Sequence, residues 1–113
     1  MLRSRRRAST WTDPEPIGRL LMTVLKELGL ERRFLEKQAA MLWSEVAKEV
    51  AGERLAEISE VTTVERGKLF VYIEGSVWKD HFKYLKPAII ERINEKMGKE
   101  VIRDIALSRK RGS

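Results

Sequence analysis

One histidine, no cysteine and a row of lysines are what this sequence offers for chemistry. A metal site would have to be built from His81 and carboxylates, with no second histidine and no thiolate to share the work. The adjacent Asp80 does not help, because neighbours in a helix do not face one another. Neither a G-x-S-x-G elbow nor a glycine-rich phosphate loop occurs. Many acidic residues stand beside basic ones at helical spacing, as Glu45 does with Lys48, which is how a solvated helix face reads. The expectation is a protein that is not an enzyme, with no cofactor and no metal.

The basic residues are more suggestive. Lys79, Lys83 and Lys86 follow at spacings of four and three, so they share one side of a helix, with Tyr84 close by. A lysine ridge beside an aromatic suits nucleic-acid phosphates; a solvated face is the ordinary alternative. Two further clusters lie at the ends: Arg3, Arg5, Arg6 and Arg7, then Arg109, Lys110 and Arg111. These seven account for the net charge of +6, since the other 16 Lys and Arg face 17 Asp and Glu. Short basic arms hold a polyanion loosely and without sequence preference.

The lysine ridge must be positioned by the stretch Gly67 to Met97. Leu69, Val71 and Ile73 alternate with Phe70 and Tyr72, the period of a strand. After Gly75 the period becomes helical, with Trp78, Phe82, Leu85, Ile89, Ile93 and Met97 on one face. Ser76 reads as the N-cap and Gly98 as the stop. Pro87 predicts a kink near 84–86, or a split into helices 76–84 and 86–97. Glu65-Arg66-Gly67-Lys68 reads as a tight hairpin joining this strand to an earlier one that begins near Ile58. A third strand is expected over Val101–Leu107, parallel to the second because a helix intervenes.

Upstream, Asp13-Pro14-Glu15-Pro16 signals a helix start. Ile17, Leu20, Leu21, Val24, Leu25 and Leu28 follow as its apolar face, and Gly29 ends it. A second helix is expected over 31–51, with Leu35, Ala39, Leu42, Trp43, Val46 and Val50 inward and Gly52 as a left-handed cap. Leu55-Ala56 reads as an added helical turn. Trp43 reads as a core anchor, and Trp11 as a ring folded back before the first helix. The predicted class is α+β in the order ααββαβ, a three-stranded mixed sheet with helices on one face.

At 113 residues the chain makes one domain with one modest core. With 42% hydrophobic and 35% charged residues it reads as soluble and globular, and the absence of cysteine fits a reducing cytoplasm. It has no apolar run of membrane-spanning length and no signal-peptide core. The expected parts are a basic arm over 1–12, a folded domain over 13–108 and a basic tail over 109–113.

The series Trp43, Gly52, Leu55-Ala56, Gly67, Leu69, Val71, Ser76, Trp78, Leu85-Lys86-Pro87 and Ile89 to Asn94 resembles the bacterial DciA family over about residues 16–107. The resemblance implies a type II KH-like domain, a bacterial replicative helicase as partner, DNA binding and a nucleoid-associated location. A working KH domain carries a G-x-x-G loop where this chain has Tyr84-Leu85-Lys86-Pro87. Contacts to DNA would therefore fall to the lysine ridge and the basic ends. Two other readings stand beside it: an independent module for single-stranded DNA or RNA, and a structural domain that homodimerises through a sheet edge or the first helix.

Overall fold

The computed structural model describes residues 16–109. Trp11, the Asp13 cap and the clusters Arg3–Arg7 and Lys110–Arg111 lie outside the described residues. The chain divides between Phe34 and Leu35 into two compact units. In the first, α1 (Pro16–Glu27) leads through a short turn into α2 (Glu31–Met41), which crosses the division. Along α1 Leu20, Leu21 and Val24 are exposed, as is Leu28 in the turn after it, while Met22 and Leu25 are half-buried.

The second unit contains the rest of α2, then α3 (Trp43–Ala51), α4 (Glu53–Glu57), β1 (Ser59–Glu65), β2 (Lys68–Ile73), α5 (Ser76–Met97) and β3 (Asp104–Leu107). The sheet order is β1-β2-β3, with β1 antiparallel and β3 parallel to the central β2. This is the expected α+β arrangement with a mixed three-stranded sheet. Leu69, Val71 and Ile73 on β2 are fully buried, and Phe70 and Tyr72 on the opposite face are half-buried, so the alternation placed the inner face correctly. The core is completed by Trp43, Val46 and Ala47 from α3, Leu55 from α4, and Phe82, Ile89, Ile93 and Met97 from α5. The Trp43 and Phe82 rings meet at 6.3 Å, tilted by 50°. The Trp43 indole N–H donates to the Ser59 hydroxyl at 2.9 Å.

Four boundaries differ from the sequence expectation. The helix expected over 31–51 is interrupted at Leu42, whose N–H bonds the Ala39 carbonyl three residues back. That tighter turn restarts the helix with Trp43 inward; the apolar spacing runs smoothly across it and so hides it. The long helix is one element through Pro87 and is not split. The carbonyl deprived of a partner by Pro87 belongs to Lys83, and both residues are exposed, so water can serve it while Phe82, Ile89 and Ile93 hold the helix to the core. Gly75, not Ser76, is its N-cap.

β3 starts at Asp104 rather than Val101. The preceding backbone is engaged elsewhere: the Asn94 side-chain oxygen accepts from the Val101 and Ile102 N–H groups, both at 2.9 Å, and the Arg103 N–H donates to the Gly67 carbonyl at 2.7 Å. The β1–β2 turn has positive φ at Arg66 (51°) and Gly67 (81°), the pattern of a type I′ hairpin. The Gly67 N–H donates to the Glu36 carboxylate at 2.7 Å, and Glu36 is the buried charged side chain of α2.

Candidate nucleic-acid interface

The N-terminal half of α5 carries the lysine ridge, and the structure divides it. Lys79 and Lys83 are exposed, and among the described residues neither forms an ion pair. Lys86 is different. Its ammonium lies 3.1 Å from Asp104 Oδ1 and 3.2 Å from the Ile105 carbonyl oxygen, so it fastens α5 to β3. The Lys86 bond holds the Asp104 carboxyl below the usual carboxylate range; partial burial opposes this, and the Ile105 N–H and Lys68 add to the lowering. An ammonium committed in this way has less to offer a phosphate.

The rest of this half-helix is also open. Tyr84 is 74% exposed and Val77 63%, and His81 is exposed. Lys83 Nζ stands 5.4 Å from the centre of the Tyr84 ring. His81 meets Trp78 edge-on at 6.0 Å, and Trp78 is half-buried at the margin of the core. The first turn contains no acidic residue and Gly75 supplies no side-chain cap, so the positive end of the helix dipole is not neutralised there. Asp80 is the single carboxylate in this stretch and leaves the local balance positive.

The C-terminal half of α5 behaves differently. Arg92 bonds Glu49 at 2.8 Å and Glu95 at 3.1 Å, and Lys96 bonds Glu45 at 2.7 Å and Glu49 at 3.1 Å. The bonds from Arg92 and then Lys96 hold Glu49 below the usual carboxylate range. The bonds to Glu45 and Glu49 clamp α3 to α5. Arg109 is exposed just beyond β3.

Sequence reasoning named the three lysines without separating them. The signal that separates Lys86 is its position: on a helical wheel it lies nearest the buried face, beside Phe82 and Ile93. The exposure of Tyr84 was readable in the same way, since it falls off the stripe of Trp78, Phe82, Leu85 and Ile89. A groove between α2 and β1, of about 440 Å³ and lined by Lys37, Ala40, Met41 and Val61 to Val64, brings no acid–base pair together. Among the described residues no three His, Asp or Glu side chains are grouped to hold a metal ion, and no helix is long and apolar enough to cross a membrane.

Comparison with known families places this geometry. The family model described as "Dna[CI] antecedent, DciA" matches residues 16–107. The chain belongs to the DciA family. Curated relatives agree: UPF0232 proteins of Mycobacterium tuberculosis and Mycobacterium bovis are 25% identical over 96 residues, which is 85% of this chain and 49% of theirs. A UPF0232 protein of Mycobacterium ulcerans is 23% identical over the same length. The chain thus spans about half the length of the curated relatives it matches. The DciA match takes in α1 to β3, and with them Lys79, Lys83 and Lys86.

Proposed function

We propose that this chain is a non-enzymatic accessory protein of DNA replication that binds the bacterial replicative helicase and, weakly and without sequence preference, DNA. The observation that carries the reading is the DciA match across the whole described fold. The helicase half rests on that membership. The DNA half is supported by the unpaired Lys79 and Lys83, the exposed Arg109 and the basic residues Arg3, Arg5, Arg6, Arg7, Lys110 and Arg111. The strand–strand–helix–strand order supports a type II KH-like architecture in which the two KH helices are fused as α5. With no G-x-x-G to grip a backbone, the lysines take that role.

The test mixes the full chain with the replicative helicase of its own organism, with and without single-stranded DNA, and measures mass by light scattering. A complex of defined mass is expected. Failure to form one, with salt-sensitive nucleic-acid binding by the chain alone, would favour an independent nucleic-acid module. For the DNA half, Lys79→Glu with Lys83→Glu is expected to weaken binding at about 50 mM salt, and to flatten its salt dependence by about one unit of slope per lysine.

A further inference from the structure

We propose that Tyr84 is a base-stacking residue, and that the N-terminal half of α5 therefore takes single-stranded nucleic acid in preference to duplex. The inference rests on the DNA-binding reading above and adds a residue and a selectivity to it.

Tyr84 stands apart from the other large rings near it. Trp43 and Phe82 are each 3% exposed, whereas Tyr84 is 74% exposed. It makes no side-chain hydrogen bond among the described residues, and its ring contact is with the ammonium of its neighbour, Lys83. The ring therefore contributes little to the core. It stands on the outer side of a helix held from beneath by Phe82, Ile89 and Ile93.

The chemistry that uses such a ring has an anionic part for Lys83 and a flat apolar part for Tyr84, one beside the other. A nucleotide of an unpaired strand has both. Lys79, one turn from Lys83, meets a second phosphate, and the exposed His81 lies three residues before Tyr84, a neighbouring position on the helix surface. In a duplex the phosphates remain available but the bases are stacked inward. Duplex can use the lysines and not the ring. An acidic protein surface would satisfy the lysines as well, but a base uses the whole ring face and tolerates any sequence.

The experiment measures fluorescence anisotropy of the full chain with labelled oligo(dT), oligo(rU) and a DNA duplex of equal length. The proteins compared are wild type, Tyr84→Ala, Tyr84→Phe and the Lys79→Glu/Lys83→Glu pair. Because Tyr84 is exposed, melting curves should coincide for wild type and both Tyr84 variants. The expected result is a loss of about 5- to 100-fold for Tyr84→Ala on the single strands. Tyr84→Phe should stay near wild type and duplex affinity should change less than twofold.

The proposal is overturned if Tyr84→Ala binds single strands like wild type, or loses single strand and duplex equally. It is also overturned if Tyr84→Ala weakens only the helicase complex, which would make the ring a protein contact. The lysine pair separates the two levels of failure. If it weakens binding while Tyr84→Ala does not, DNA binding stands and stacking falls. If neither variant changes binding, the α5 surface is not the contact, and the lysine ridge falls together with the stacking.

Discussion

At Gly67 three segments of the chain meet on one backbone unit. Its N–H reaches Glu36 of α2, its carbonyl accepts from Arg103 at 2.7 Å and from Asp104 at 3.3 Å, and its φ of 81° turns the hairpin. A Cβ placed there would stand 3.0 Å from Arg103 Nε and 3.3 Å from the Val101 carbonyl oxygen. Gly67→Ala is therefore expected to destabilise by about 1–3 kcal/mol, through left-handed backbone strain and the displaced neighbours. Glu36→Ala should cost a similar ~1–3 kcal/mol by leaving a buried N–H without its acceptor. Chemical denaturation of each variant checks both, and loss of stability confined to Glu36→Ala would contradict the strain argument. The turn was legible, because glycine after a polar pair between alternating runs marks a hairpin. The Glu36 contact was not: a glutamate among Arg32, Arg33 and Lys37 reads as part of a solvated face, and its partner lies 31 residues away.

Among the elements, α5 shows how far pattern carries and where it stops. Its apolar stripe, the Gly98 terminus and the parallel strand beyond it were readable from period and spacing. The continuity through Pro87 was not, because a proline's local penalty is visible in sequence while the packing that overrides it is not. Pro87→Ala restores the missing N–H opposite the Lys83 carbonyl at an exposed site. It is expected to stabilise the fold by about 1–3 kcal/mol, seen as a higher Tm. A lower Tm would mean that the proline serves the native shape of the helix. The late start of β3 escaped for a related reason. Val101 and Ile102 are apolar and buried and so look like strand, yet Asn94 takes their N–H groups, and a side-chain amide in a helix does not announce that use.

For the whole molecule, charge is arranged by task. Arg92 and Lys96 are spent on α3, Lys86 on β3, and Lys79 and Lys83 remain exposed. The paired carboxylates set the acid stability. Asp104 and Glu49 are held below their ordinary values when folded, so their contribution is complete above the ordinary carboxylate range and is lost as pH falls through the lowered values. Asp104→Asn is expected to lower the Tm at neutral pH, with the gap to wild type closing below pH ~4. Because Asp104 is nearly half exposed, the gap should be small, and a gap that widened in acid would refute the assignment.

The Lys86–Asp104 pair has another effect, at the outer rim of β3. A bare strand edge is a template on which a foreign chain can lay itself, and crowded proteins aggregate through such edges. On β3, Ile105 has its N–H taken by the Asp104 carboxylate at 2.8 Å and its carbonyl taken by Lys86. On β1 the register slips between Val61 and Thr63, where Thr62 turns its hydroxyl to the Phe70 carbonyl, a bulge that spoils regular pairing. The chain thus occupies the outward groups of Ile105 on one rim and breaks the regularity of the other, and both features make the sheet a poorer template for a fourth strand from a neighbour.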